Sequence, residues 1–273
     1  MTVSPCSTSP KLNAAFVRLA VRCVVLMAAA MTVGDARCQN TAGTGEGEDA
    51  PKTVFTHRYE AGISLHTRGM GGLLERGTYR GVGKLSTWSV GFTSMKHAKE
   101  VRSFNPAYDQ ARSYVFGKVN ALYILRLGWG KRTVASPKLR NGGVSVGWHY
   151  SFGAALGLTK PIYLEIGYPQ IPYTYLLTQR YDPSEHGTDD IYGRAGAMNG
   201  ILELTPHPGG YFRAAADFEY GRERETLRTL SVGIQVDAFL NRVVIMAEEF
   251  GQNDRFYLTL FAHWTLGRQK FKT

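Results

Sequence analysis

The chain has 273 residues, with 32 Lys and Arg against 22 Asp and Glu for a net charge of +10, and it is 12% aromatic. Mean hydropathy is −0.20, and after residue 40 no run approaches the stretch of about eighteen apolar residues that marks a helical membrane span. The basic residues are scattered and follow no recognition-helix pattern, which argues against nucleic acid as a partner.

In chain order, residues 1–38 read as an export signal. Lys11, Arg18 and Arg22 give a basic start, and Cys23–Val33 is an apolar run too short for a span but suited to a signal-peptide core. Cleavage fits after Ala36 or after Cys38, and the second is preferred. Cys6, Cys23 and Cys38 all fall in this segment, so a chain cut after Cys38 carries no disulfide and no thiolate. Its loss removes four basic residues and one acidic one, leaving a net +7. Residues 39–57 begin Gly- and acid-rich and read as a flexible leader.

Eight candidate strands follow between residues 58 and 273. The first has Tyr59, Ala61, Ile63 and Leu65 on one face. The second, Gly72–Arg80, is weakly patterned. The third carries Trp88, Val90 and Phe92 against Ser89, Gly91 and Thr93. The fourth, from Val115 to Trp129, has Leu122 and Ile124 on its otherwise polar face. The fifth is the clearest: from Val144 to Thr159 the even positions are apolar or aromatic and the odd positions small or polar. The sixth sets Phe212, Ala214, Ala216, Phe218 and Tyr220 against Arg213, Asp217 and Glu219. The seventh sets Leu230 to Leu240 against Thr229 to Asp237. The eighth sets Phe256 to Leu266 against Thr259, His263 and Thr265.

Side chains alternate faces along a strand, so each segment has one apolar face and one small, polar face. Strands this long, even in number and joined by connections that alternate short and long, predict a closed antiparallel up-and-down transmembrane β-barrel. Eight strands are expected; ten would result if Ile162–Gly167 and Ile201–Leu204 joined the wall. The domain reading is signal 1–38, leader 39–57 and barrel 58–273 with a long outer loop at 160–210. The expected location is a Gram-negative outer membrane, with membrane lipid as the surroundings. A soluble lipocalin-like ligand-binding barrel is the rival, and it would turn the apolar face inward.

Several segments taken together carry a resemblance: Ser94–Arg102, Asn105-Pro106, Tyr114–Lys118, Leu156–Leu164, Arg180–Pro183, Asp190–Ala195 and Phe218–Gly221. They resemble a family of uncharacterised outer-membrane β-barrel proteins of Bacteroidota-type bacteria. The resemblance implies fold and place, with no catalytic residue.

Three groups of residues bear on function. His149 and His263, with Ser151 and Asp237, fall on inner faces, which is the inventory of a lipid- or lipopolysaccharide-modifying hydrolase. A lumen filled by ion pairs accounts for the same residues, with Arg126, Arg213, Asp217, Glu219 and Asp237 as partners. Asp182, Glu185, Asp189 and Asp190 are the candidate metal-ligand set, and their spacing matches no Ca²⁺ loop. Tyr168, Tyr173, Tyr175, Tyr181 and Tyr192 enrich the outer loop in aromatic surface of the kind that binds partners. The expectation is a non-enzymatic structural, accessory or binding protein of the envelope. It takes no cofactor and no metal, and its partner is another outer-membrane or periplasmic protein.

Overall fold

The computed structural model describes residues 55–106, 111–138, 143–168, 175–221 and 226–271. The signal at 1–38 and most of the leader at 39–57 lie outside the described residues. The described chain is all-β. Its strands are β1 (Phe55–His66), β2 (Gly69–Gly81), β3 (Lys84–Met95), β4 (Arg102–Ser103), β5 (Tyr114–Val115), β6 (Asn120–Ser136), β7 (Ser145–Pro161), β8 (Tyr163–Tyr168), β9 (Tyr175–Arg180), β10 (Ile191–Arg194), β11 (Thr205–Tyr220), β12 (Thr226–Phe239) and β13 (Phe256–Phe271).

Eight of them close into one antiparallel barrel in the order β1-β13-β12-β11-β7-β6-β3-β2. β1 pairs with both β2 and β13, so the wall has no open edge. The period-2 pattern decides which face turns inward. Along β3, Leu85, Thr87, Ser89, Thr93 and Met95 are buried while Trp88, Val90 and Phe92 face out, with Trp88 66% exposed. The same inversion runs round the barrel. Arg58, Glu60, Glu75, Arg126, Arg132, Arg213, Asp217 and Asp237 are buried, whereas Ile63, Leu65, Leu74, Phe152 and Leu260 are exposed. The lipocalin-like alternative requires the opposite distribution, and the structure overturns it.

Three sequence expectations change in detail. The fourth wall strand starts at Asn120, not Val115, and runs on to Ser136; Tyr114 and Val115 pair instead with β4. The break lies at Gly117, whose φ of +76° favours glycine and whose missing Cβ leaves room for the Phe250 ring. The same extension carries Arg132, near the end of β6, into the lumen. The ten-stranded option falls because β8 lies in a separate sheet of order β10-β8-β9, while Ile201–Glu203 form a 3₁₀ turn. The outer insertion runs from 162 to 204, since β7 and β11 extend as a pair up to Thr159 and Thr205.

Short connections at 82–83, 137–144 and 221–225 occupy one end, together with the start of β1 and the end of β13. The tight 67–68 turn and the long connections 96–119, 162–204 and 240–255 occupy the other end. This asymmetry is that of membrane-spanning barrels, with short turns on the periplasmic side.

Candidate functional site: a filled lumen and a stitched outer cap

Inward-facing residues stack in layers. At the short-turn end Arg132 is the hub, within 2.6 Å of Glu60, 3.2 Å of Glu75 and 2.6 Å of Asp217. The Nε–H of Arg132 is close to Asp217 but not aimed along a hydrogen bond, so that contact is an ion pair only. Arg58 bridges Glu60 at 2.8 Å and Glu219 at 2.6 Å, and Thr229 and Thr265 donate to the remaining capacity of Glu60. Lys138 closes the layer on Glu219 at 3.0 Å.

Above it, Arg126 grips Asp237 through two bonds of 2.7 and 2.9 Å and donates to Thr93. Gln235 donates to the same carboxylate and accepts from Arg213 Nε. Among the described residues no carboxylate pairs with Arg213; its guanidinium lies over the Tyr211 and Phe261 rings at 5.5 and 5.4 Å. Among the described residues four buried arginines (Arg58, Arg126, Arg132, Arg213) are balanced by four buried carboxylates (Glu60, Glu75, Asp217, Asp237), so their charge sums to zero. Buried ions need such pairing because an unpartnered charge in a narrow lumen costs several kcal/mol, about 3–5 on loss of one partner.

The candidate catalytic residues do not assemble. His149 Nε2 lies 3.2 Å from Thr87 Oγ1, and His263 stacks on Phe261 at 4.1 Å. Ser151 Oγ has no hydrogen-bond partner, and Asp237 is occupied by Arg126 and Gln235. No hydrogen bond joins either histidine to Ser151 or Asp237 among the described residues. The candidate metal ligands likewise form no cluster among the described residues. Asp182 accepts from the Ser184 backbone N–H at 2.9 Å and from its hydroxyl at 2.6 Å, bonds that hold its carboxyl below the usual carboxylate range. No cluster of ligating side chains suited to a cation occurs among the described residues.

The outer end is plugged. Leu122 and Ile124, which break the polar inner face of β6, pack with Met95, Ala155, Tyr211, Phe239 and Tyr257. Val243 and Ile245 of the 240–255 connection dip into this cluster and are 0% exposed. Asn253 fixes that descent. Its side-chain oxygen accepts the N–H groups of Ile245 (2.9 Å) and Met246 (3.2 Å), and its amide donates to Met246 O (2.8 Å).

Above the plug, the three long connections are hydrogen-bonded into one cap. Val119 and Asn120 N–H groups donate to Ile245 O, Ala247 N–H donates to Gly117 O, and Gly117 N–H donates to the Tyr181 hydroxyl at 3.0 Å. Asn105 donates to the carbonyls of Thr188, Asp189 and Ile191, tying the 96–119 connection to the end of the 162–204 insertion. A second core of Tyr114, Leu164, Ile166, Tyr181 and Ile191 sits beneath. Tyr181, one of the loop tyrosines, is therefore interior. Tyr168 and Tyr175 stack at 6.1 Å, with Tyr175 54% exposed, and Tyr192 is half-buried. Tyr173 lies outside the described residues. The roles of Asn105, Asn253 and Arg132 are not read from the sequence. For Arg132 a signal existed, since Arg126, Gly128, Gly130 and Arg132 share one strand face.

An apolar outer belt, a charge-neutral filled lumen, short turns at one end and long connections at the other define the fold of an integral outer-membrane β-barrel. No protein-family profile matches the chain, and no curated protein matches it. Among solved structures, it is similar to Ail, the attachment invasion locus protein of Yersinia pestis. The identity is 7% and the TM-score 0.35, over 80% of this chain and 99% of that one. At that level the likeness bears on neither function nor residues.

Proposed function

We propose that this is a non-conducting, non-enzymatic component of a Gram-negative outer membrane that presents a folded cap to the exterior as a binding platform. The observation that carries the reading is the cap itself: the 96–119 and 162–204 connections share a core, the 240–255 connection is hydrogen-bonded to the first of them, and the whole rests on a plugged barrel. A loop that only joined strands needs no core of its own, and long structured insertions are commonly functional. The exposed run Tyr175–Thr178 of β9, at the edge of the small sheet, is the surface offered to an outer-membrane or other envelope protein.

The test is replacement of residues 170–200 by a short Gly/Ser linker, followed by crosslinking in membranes. The barrel is expected to keep its heat-modifiable gel mobility while a crosslinked partner disappears. A partner retained by this variant and mapped to Lys131 or Lys138 at the opposite end would overturn the assignment.

A further inference from the structure

A cavity of about 770 Å³ opens where the 96–119 connection arches over the upper wall. Its lining brings together Lys96, Arg102, Arg112 and Lys118 of the 96–119 connection with Lys160 at the end of β7 and Arg194 of β10, and its one lining carboxylate is Glu100. Glu100 is taken by Lys118 at 2.7 Å, and Arg112 reaches Glu165 only at 3.4 Å with its side chain 65% exposed. Lys160 donates to the Ala197 carbonyl. Lys96, Arg102 and Arg194 have no carboxylate partner among the described residues. The cavity is therefore a concentration of positive charge in a molecule whose lumen is neutral.

The floor tells what sort of anion fits. Ser94, Ala121 and Tyr123 are outward-facing positions at the upper ends of β3 and β6, where Ser94 pairs with Tyr123 and Thr93 with Ile124. Tyr123 stacks on Phe92 at 5.8 Å with the planes 7° apart. Below them the same faces continue as Val90, Leu125 and Leu127, part of the apolar belt. A ligand filling this site meets guanidinium and ammonium groups at its head and an aromatic, then aliphatic, wall along its tail. Arginines bind phosphate oxygens through paired N–H donors, and lysines add point charge. A small soluble anion would use only the upper half.

We propose that this cavity seats the phosphorylated headgroup of an outer-leaflet lipid, whose acyl chains lie along the wall beneath Phe92 and Tyr123. The inference rests on the membrane-embedded part of the reading above and is independent of any protein partner. Lys and Arg at an interface also attract lipid nonspecifically by snorkelling. The cavity differs from that in gathering cations from one connection and two strands, β7 and β10, around one concave site.

The experiment uses the full chain, refolded and inserted into phosphatidylcholine nanodiscs doped with diphosphorylated lipid A or with its dephosphorylated counterpart. Retained lipid is counted by native mass spectrometry. The phosphorylated lipid should be retained, and the variant Lys96→Ala/Arg102→Ala/Arg194→Ala should lower retention about tenfold. The single variant Arg102→Gln should lower it by a smaller factor, which guards against misfolding of the triple variant. Lys131→Ala, an outward cation near the opposite end, should leave it unchanged. Equal retention of both lipids, or equal retention by wild type and Arg102→Gln, overturns the proposal. Displacement by inorganic phosphate at concentrations equal to the lipid would reassign the cavity to a soluble anion. A heat-modifiable, inserted protein that retains no lipid would defeat this inference alone, whereas failure to insert would defeat the membrane reading beneath it.

Discussion

At the scale of single residues, Arg126 and Asp237 make the sharpest prediction. Both are essentially solvent-free, at 1% and 0% exposure, and they share two charge-assisted hydrogen bonds. Truncating Asp237→Ala strands a guanidinium in the middle of the lumen, where Thr93 is its remaining hydrogen-bond partner among the described residues. The expected loss is about 3–5 kcal/mol, read as a lower urea midpoint for the refolded protein in micelles. Replacing both members, Arg126→Met with Asp237→Leu, removes the charge together with its partner. It should recover most of that loss, because a well-packed apolar pair of similar volume is commonly no worse than a buried ion pair. If the double variant is as unstable as Asp237→Ala, packing against Gln235 and Thr93 matters more than charge balance.

At the scale of elements, the 240–255 connection behaves as a plug held by one side chain. Asn253→Ala deletes three hydrogen bonds and leaves the Ile245 and Met246 N–H groups without that acceptor above an apolar cluster. A local cost of about 1–3 kcal/mol follows. Amide exchange should quicken across residues 243–247 while the amides of β6 and β7 stay protected. Uniform acceleration over the wall would mean that plug and barrel open as one unit. The element scale also shows what the sequence could and could not reveal. The wall was legible because alternation is local: Trp88, Val90 and Phe92 announce an outward face without knowledge of any neighbour. Leu122 and Ile124 looked like faults in that pattern, and they are the floor of a plug whose other half lies more than a hundred residues later. Asn105 and Asn253 act through loop backbone brought near by the fold, and no spacing rule marks such a clamp. The histidine and carboxylate candidates were placed on the correct face, but alternation says nothing of height along the strand. Height is what separates His149, beside Thr87, from Asp237, held by Arg126.

At the scale of the whole molecule, the barrel is closed in three successive places, which makes a prediction about transport. Eight strands enclose a space that side chains fill. Here the Arg132 hub blocks the short-turn end, the Arg126–Asp237–Gln235–Arg213 network blocks the middle, and Val243 and Ile245 cork the outer mouth. Wild-type protein in planar lipid bilayers should therefore give no stable, large single-channel steps. The stronger form of the prediction concerns a variant in which residues 243–251 are replaced by Gly/Ser. Removing the cork should raise amide exchange at Met95, Leu122 and Ile124 yet still give no steps, because both ion-paired layers remain. Steps appearing on loss of the plug alone would show that the charged layers are wet enough to pass ions, and the lumen would then be a gated path instead of a packed support for the cap. Neutralising the middle layer as well, by adding Arg126→Ala and Asp237→Ala, is the change expected to let ions reach the Arg132 hub. Even then the three carboxylates around Arg132 should hold the path shut, so conduction is expected only when that hub is also lost.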